Sequence, residues 1–254
     1  MNRRFDMIKE KVFIFIFGIL ICVSVFGQMN FYSKPWENKE FPIVIDAYGP
    51  NSIDMDKVKT DERVVAIIHQ ASRGLKADDK YLKRSKESEE KGLLYASYHI
   101  GTKEDDPIAQ ADFYLEVTKD NPNIRALDIE DNGGKYITLK NAEIFIQRIY
   151  DKTGVYPFVY LNNSVFQEIN KNYDKSSIFA KCPLWYASYK GDISGLSTHV
   201  WDKVSLWQFC SEINCSKTGN CLYQVPGTLY DMDIDVFNGN KEALMDLFSQ
   251  VKNK

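Results

Sequence analysis

Short apolar runs alternate with amphipathic segments along the chain from Phe41 onward. Eight of the runs are rich in β-branched and aromatic residues and have the length of buried strands. They cover residues 43–46, 64–70, 93–100, 124–130, 156–161, 184–189, 204–209 and 232–236. No linker, repeat or low-complexity stretch interrupts this pattern, so it predicts a single domain.

Helix signals lie between the early strands. Asp106 followed by Pro107 predicts a capped helix, and Thr138 precedes an apolar face of helical period that ends at Gly154. Another helix is expected over 164–172, and loops rich in Gly, Ser and Asn join the last three strands. The pattern predicts an α/β fold, a TIM-like modified barrel with about five βα units followed by three strands. A doubly wound sheet is the alternative, but its G-x-G-x-x-G turn is missing after the first strand.

The first 27 residues have the order of a secretory signal peptide. Four basic residues precede an apolar run over 12–26, and Val25 and Gly27 occupy positions −3 and −1 of a cut after Gly27. The run is shorter than the about 20 residues of a membrane-spanning helix. We therefore expect a signal peptide over 1–27, an N-terminal extension over 28–40 and a barrel over 41–254. An uncleaved anchor is the alternative.

The mature protein is expected to be a secreted or periplasmic monomer with no stable membrane insertion after cleavage. The full chain has a formal net charge of −3, and removing four basic and two acidic groups with residues 1–27 makes this −5. No basic stripe long enough to follow a phosphate backbone is present, so we expect no nucleic-acid partner.

The cysteines agree with export, because Cys182, Cys210, Cys215 and Cys221 remain after cleavage. An even number predicts two disulfides, and the three possible pairings are equally open. A zinc site is the alternative, but spacings of 28, 5 and 6 residues lack the C-x2-C pair of structural zinc. The three histidines add no recognisable ligand set, so we expect neither a metal nor an organic cofactor.

Acidic residues recur where the predicted strands end, at Asp46, at Asp128 and Glu130, and at Asp233 with Asp235. Because a strand alternates faces, Asp128 and Glu130 point to the same side, about 6.6 Å apart at the backbone. Crowded carboxylates separate in pKa, which suits one of them to act as a general acid on a glycosidic bond. Taken singly, any of these acids is also explained as a helix cap or a solvated loop residue.

Seven motifs in order along residues 41–248 together resemble glycoside hydrolase family 25, the Chalaropsis-type lysozymes or N-acetylmuramidases. They are Val-Ile-Asp at 44–46, Ala-Ser-Tyr-His-Ile-Gly at 96–101, Asp-Pro-Ile-Ala-Gln-Ala-Asp at 106–112, Leu-Asp-Ile-Glu at 127–130, Pro-Leu-Trp-Tyr-Ala-Ser-Tyr at 183–189, Leu-Trp-Gln-Phe at 206–209 and Met-Asp-Ile-Asp-Val-Phe-Asn-Gly at 232–239.

The resemblance implies a modified barrel that hydrolyses the β-1,4 bond between N-acetylmuramic acid and N-acetylglucosamine in the glycan strands of peptidoglycan. It makes Glu130 the proton donor. Asp128 then assists, either by orienting the 2-acetamido group or by stabilising positive charge at the sugar, and Asp46 and Asp233 match the two remaining acids. Wall positions that contact saccharide are matched by Tyr98, Tyr160, Trp185 and Gln208.

The chain departs from the family pattern in two loops. Ala-Tyr-Gly-Pro at 47–50 alters the loop after the first acid, and Arg73 stands where many members have an acid. Arg73 either meets a carboxylate of a peptide stem or forms a surface ion pair. The segment 210–221 also looks additional, and we interpret it as a stapled loop.

Two other functions remain open at this stage. A catalytically silent glycan-binding barrel would keep the aromatic residues, although such a module would be expected to lose an acid. A glycosidase of the same fold could act on another N-acetylated polymer such as chitin.

Overall fold

The computed structural model describes residues 30–121, 123–130 and 134–252 of the chain. Nine strands form one sheet, and pairing of the first strand with both the second and the ninth closes eight of them into a barrel. The strands are β1 (Ile43–Ala47), β2 (Val64–Arg73), β3 (Lys76–Ala77), β4 (Leu94–Ile100), β5 (Arg125–Ile129), β6 (Phe158–Leu161), β7 (Leu184–Ala187), β8 (Val204–Cys210) and β9 (Asp233–Phe237). The two-residue β3 forms a hairpin with the end of β2 and lies outside the closed barrel.

Five βα units precede three strands, which confirms the fold predicted from the sequence. The α-helices are α1 (Met55–Val58), α2 (Tyr81–Glu90), α3 (Pro107–Val117), α4 (Leu139–Thr153), α5 (Asn163–Asn172) and α6 (Lys241–Lys252). The predicted helix ends are also confirmed. The Asp106 side chain accepts hydrogen bonds at the start of α3, Thr138 does so for α4, and Gly154 ends α4 with a φ of 69°.

The last strand runs against its neighbours. β1, β2 and β4–β8 are parallel to one another, whereas β9 is antiparallel to both β8 and β1. The connection from β8 to β9 therefore stays at the C-terminal end of the parallel strands. β9 then carries the chain to the opposite end, where Leu244 and Phe248 of α6 pack against the interior of the barrel. Helix α6 was not predicted from the sequence.

Alternation along the strands divides the core into two layers. Inward-facing Val44, Ala126, Phe158 and Leu206 pack inside the barrel. The residues that alternate with them, such as Leu127 and Ile129 in β5, pack outward against the helices. This arrangement agrees with the prediction that Leu127 and Ile129 face away from Asp128.

The N-terminal segment of the described chain packs against the outside of the barrel. Trp36 is buried and stacks on Phe209 of β8, with ring centroids 4.6 Å apart. The predicted signal peptide over 1–27 lies outside the described residues. Within the described residues, no helix is both long and apolar enough to cross a bilayer.

The prediction of two disulfides is wrong. Among the described residues, one disulfide joins Cys215 to Cys221, while Cys182 and Cys210 are free and buried. The Cys210 sulfur lies 3.4 Å from that of Cys215, so three of the four cysteines crowd into one loop. Cys182 instead directs its thiol to the carbonyl oxygen of Ile178. One cysteine of the crowded trio is therefore left without a partner.

Candidate functional site

The four predicted acids lie around a single cleft at the C-terminal ends of the parallel strands. The cleft has a volume of about 480 Å³, and Asp46, Asp128, Glu130 and Asp233 all line it. β9 contributes its acid although it is antiparallel, because its first residue lies at the end where the other strands finish. The predicted convergence of acids at one mouth therefore occurs in the folded chain.

Strand register sets the neighbours of each acid. Asp46 in β1 pairs directly with Asp233 in β9. Asp128 in β5 pairs with Tyr160 in β6, and Tyr160 pairs with Trp185 in β7. Residues paired in this way across a sheet point to the same face. The barrel interior is therefore polar at its upper end and apolar below.

Gln208 connects one acid to two tyrosines. Its Nε2 donates a hydrogen bond of 2.8 Å to Oδ2 of Asp46. Its Oε1 accepts hydrogen bonds from the hydroxyls of Tyr160 at 2.9 Å and Tyr189 at 2.7 Å. Only 1% of Gln208 is exposed, so this predicted wall residue lies beneath the cleft surface rather than on it.

Asp46 and Asp128 are buried carboxyl groups with strongly perturbed acidity. Burial, followed by the nearby carboxyl groups of Asp235 and Asp233, raises the pKa of Asp46 well above its usual value. Burial and then the charge of Glu130 raise the pKa of Asp128, against the lowering effect of Arg73. The Oδ1 atoms of Asp46 and Asp128 have no hydrogen-bond partner among the described residues. Both atoms are also inaccessible to solvent, so each carboxyl group has one oxygen buried in the barrel.

The acids of β9 differ in depth. Burial, and then the charges of Glu130 and Glu212, raise the pKa of Asp233 to about 7. Asp235 is fully buried below it, and its Oδ1 accepts a hydrogen bond of 2.6 Å from the indole nitrogen of Trp185. Burial raises the pKa of Asp235 well above its usual value. Asp235 does not line the cleft and instead supports Trp185 from below.

Aromatic side chains form the floor and one wall of the cleft. Trp185 has only 1% of its surface exposed, and Tyr160 meets it edge to face with ring centroids 4.9 Å apart. Tyr98 meets Trp185 at 6.1 Å, again edge to face. All three predicted aromatic positions therefore lie together. Tyr189, the last residue of the motif at 183–189, also lines the cleft two residues beyond β7 and shares a face with Trp185 by strand alternation.

A buried arginine holds the loop that follows the first acid. Arg84 donates hydrogen bonds to the carbonyl oxygens of Tyr48, at 2.8 Å, and Asn51, and to Nε2 of His69, at 2.8 Å. Burial lowers the pKa of His69 to about 4, so His69 is neutral near pH 7 and accepts this bond. Tyr48 itself is 44% exposed and lines the cleft. Arg84 thus fixes the position of a loop whose sequence departs from the family pattern.

The cysteine-bearing segment forms another part of the cleft wall. Ser211, Glu212 and Ile213 follow β8 directly and line the cleft, and the disulfide closes the loop a few residues later. The sequence indicated only a stapled loop for this segment and did not reveal its place in the site. Its position directly after a barrel strand was the available signal, because residues there point toward the mouth.

One group of possible metal ligands occurs among the described residues. The sulfur atoms of Cys210, Cys215 and Cys221 lie within 4.8 Å of one another. Two of these atoms are joined in the disulfide and cannot act as thiolate ligands while it is intact. The cleft acids do not belong to this group.

Several solved structures share this fold. A bacterial lysozyme from Streptomyces coelicolor is 19% identical, with a TM-score of 0.67, covering 83% of this chain and 98% of its own. A muramidase from Trichobolus zukalii is 21% identical, with a TM-score of 0.65, covering 82% and 99%. A family 25 lysozyme from Aspergillus fumigatus is 19% identical, with a TM-score of 0.66, covering 82% and 99%.

A comparison with curated proteins found no significant match. At the level of families, the profile of the glycosyl hydrolases family 25 matches residues 45–218, which is more than half of the chain. That range contains Asp46, Asp128 and Glu130 and ends before Asp233. The barrel fold and the acidic cleft agree with this profile match. The chain is therefore a glycoside hydrolase that belongs to glycosyl hydrolases family 25.

Proposed function

We propose that this protein is a secreted lysozyme that hydrolyses the β-1,4 bond between N-acetylmuramic acid and N-acetylglucosamine in peptidoglycan. One observation carries the proposal. Asp46, Asp128, Glu130 and Asp233 converge on a cleft with an aromatic floor, in a chain that belongs to family 25. The cleft is open to solvent along its upper side, where a glycan strand can lie across it.

Glu130 is proposed as the proton donor. It follows the last residue of β5 and is less deeply buried than Asp128, so it reaches the open part of the cleft. Its proton passes to the bridging oxygen as the bond from that oxygen to the sugar C1 breaks. Water then adds at C1 and returns a proton to the Glu130 carboxylate, which restores the starting state.

Asp128 is proposed to hold the 2-acetamido group of the sugar. Asp128 lines the cleft next to Glu130 in sequence register, two residues before it on β5. There its carboxyl group can form a hydrogen bond with the amide of an N-acetyl group. The acetamido group is therefore a substrate feature that this wall recognises, and N-acetylated sugars are the expected class.

Asp46 and Asp233 are proposed to set the protonation states and positions of Asp128 and Glu130. They lie side by side across β1 and β9, and the charge of Asp233 raises the pKa of both Asp46 and Asp128. Gln208 holds Asp46 in place through the 2.8 Å hydrogen bond. Tyr98 and Tyr160 are proposed to contact the sugar from the cleft wall, and Trp185 packs against both rings from below.

The test is digestion of purified peptidoglycan, followed by borohydride reduction and mass spectrometry of the soluble fragments. Wild-type protein is expected to release fragments with reduced muramic acid at the new ends. Glu130→Gln is expected to release at least 100-fold less, because removing a general acid has about this effect. Glu242→Gln is the matched control, since it removes an exposed carboxyl group from α6 at the opposite end of the barrel and should leave release unchanged.

The alternatives predict different products. A glycan-binding barrel would sediment with the cell wall and release nothing. A chitinase would release N-acetylglucosamine oligomers from chitin in a parallel digestion and would leave peptidoglycan intact. Reduced N-acetylglucosamine ends from peptidoglycan would mean that the protein cuts the other glycosidic bond, which contradicts the proposed specificity.

The proposed location is outside the cytoplasm, where peptidoglycan is found. The signal-peptide pattern over 1–27 supports it. Expression of the full chain in an exporting bacterium, followed by N-terminal sequencing of the exported protein, is expected to give Gln28 as the first residue. Recovery of the uncut chain in the membrane fraction would contradict this. The glycan strand is the proposed partner of a monomeric enzyme.

A further inference from the structure

Arg73 is held rigidly at the rim of the cleft. It is the last residue of β2, where its backbone pairs with Lys76 of β3 on one side and with Ile100 of β4 on the other. Its side chain is exposed and lines the cleft. Pairing on both sides fixes the backbone of Arg73 at the rim, from which its side chain reaches the cleft.

Among the described residues that line the cleft, Arg73 is the single basic side chain. The acidic side chains that share the cleft are Asp46, Asp128, Glu130, Glu212, Asp231 and Asp233. Within the described part of the chain, no carboxylate lies within 4.0 Å of the Arg73 guanidinium, because Arg73 takes part in none of the ion pairs found there. The surface ion pair considered from the sequence is therefore not formed in that part of the structure.

The acids make the cleft unfavourable for a negatively charged substrate. The two sugars of peptidoglycan differ in that muramic acid carries a lactyl ether, whose carboxyl group is either free or linked to a peptide stem that has carboxylates of its own. A guanidinium binds a carboxylate through two parallel hydrogen bonds, which the acidic residues of the rim cannot do. The Arg73 guanidinium is thus the group at the rim that would bind the carboxylate of the lactyl or peptide substituent.

We infer that Arg73 is a specificity-determining residue that binds a carboxylate on the muramoyl substituent of the substrate. The inference rests on the proposed function, since it takes the substrate to contain muramic acid. It also explains how the cleft distinguishes peptidoglycan from chitin, because chitin has the acetamido group but no carboxylate. The carboxylate is supplied by the lactyl group itself or by the peptide stem.

Equilibrium binding tests the inference without requiring turnover. In a Glu130→Gln background, calorimetry would measure Kd for four tetrasaccharides. These are a muramoyl glycan with free lactyl carboxylates, the same glycan with the carboxylates converted to methyl esters, the glycan with peptide stems attached, and chitin tetrasaccharide. Arg73→Gln and Arg73→Lys would be compared with Lys76→Gln, which removes the same charge from the paired position of the hairpin outside the cleft.

Arg73→Gln is expected to weaken binding of the carboxylate-bearing glycan about tenfold and binding of the methyl ester and chitin less than twofold. Arg73→Lys should retain part of the preference for carboxylate-bearing over neutral ligands. Lys76→Gln should leave all four Kd values unchanged. The loss should shrink in high salt, because an exposed ion pair is screened. A loss confined to the free lactyl form identifies the lactyl group as the source, and a loss confined to the stem-bearing form identifies the peptide.

Equal weakening of charged and neutral ligands would overturn the inference, as would no weakening at all. A protein that binds no muramoyl glycan would overturn it as well. Failure of the proposed function has a different signature, since wild-type protein would then release no reduced muramic acid ends, whatever the ratio of Kd values.

Discussion

The side-chain amide of Gln208 donates a 2.8 Å hydrogen bond to Oδ2 of Asp46, a residue 162 positions away in the sequence. The same amide accepts hydrogen bonds from the hydroxyls of Tyr160 and Tyr189. One buried side chain therefore links an acid to two tyrosines of the cleft. The amide also favours the ionised form of Asp46, against the effect of burial.

Replacing Gln208 with methionine is expected to lower both stability and activity. Methionine has a similar length but leaves Asp46 without its donor and both tyrosine hydroxyls without their acceptor. Losing these buried bonds should decrease the free energy of unfolding by about 2–4 kcal/mol. Urea denaturation measures this loss, and Gln147→Met on the exposed side of α4 is the control. A variant as stable as wild type would show that the three bonds contribute nothing.

Asp233 makes the stability depend on pH. Its folded pKa of about 7 lies above the usual value of 3.8, so the folded state binds more protons between these two values. Wild-type stability arising from Asp233 is therefore lost as the pH rises through this window, and the loss is complete above pH of about 7. Neighbouring charges that contribute are those of Glu130, Glu212 and Asp231.

Asp233→Asn should remove this dependence. The stability of the variant relative to wild type is expected to increase by about 1–3 kcal/mol between pH of about 4.5 and 8. Urea denaturation at both pH values provides the measurement. A difference that stays constant with pH would contradict the raised pKa. Loss of activity alongside increased stability at pH of about 8 would fit a site where function opposes stability.

Asp235 is expected to affect stability more than turnover. Its raised pKa favours the neutral acid, and asparagine has the same shape and keeps an acceptor for the Trp185 indole. Asp235→Asn should therefore change the free energy of unfolding by less than about 1 kcal/mol, whereas Asp235→Ala should lower it by about 2–3 kcal/mol. Tryptophan fluorescence during denaturation follows both variants. A large rate loss in a fully stable Asp235→Asn protein would place Asp235 among the reacting groups instead.

Removing the disulfide between Cys215 and Cys221 is expected to weaken substrate binding. The double variant Cys215→Ser/Cys221→Ser opens the loop whose first residues, Ser211, Glu212 and Ile213, line the cleft. Both cysteines are replaced because the free thiol of Cys210 lies close enough to each of them to form a new disulfide. Greater freedom of that wall should increase KM several-fold and change kcat less than twofold, because Glu130 and Asp128 lie on β5 and its end. Steady-state kinetics on soluble glycan fragments separates the two constants.

Cys182→Ala is the matched control for the disulfide, because Cys182 is a buried free thiol that does not line the cleft. It is expected to reduce stability and leave KM unchanged. A fall in kcat with unchanged KM in Cys215→Ser/Cys221→Ser would mean that the loop positions the reacting acids rather than the glycan.

Local patterns were sufficient for most of the fold. All eight barrel strands were predicted to within a few residues, because alternation and short apolar runs record which side chains are buried. Asp106, Thr138 and Gly154 marked helix ends through hydrogen bonds and backbone conformation that involve only neighbouring residues. The acids at the strand ends were predicted to lie at one mouth for the same reason, since parallel strands finish at a common edge.

Contacts between distant parts of the chain were not encoded in these patterns. A strand has the same alternation whether its neighbour is parallel or antiparallel, so the direction of β9 and the resulting positions of α6 and the cysteine loop emerged only on closure of the barrel. The disulfide pairing depended likewise on which sulfur atoms the β8–β9 connection brought together.

The sequence by itself determined the barrel, its five βα units and the set of acids at its mouth, because burial and capping are properties of short segments. Only the tertiary structure decided that Gln208 lies beneath the cleft, that Asp235 supports Trp185 and that Arg73 stands among acids without an ion pair in the described chain. Each of these depends on side chains meeting across strands far apart in sequence, and such meetings follow from the register and closure of the whole sheet.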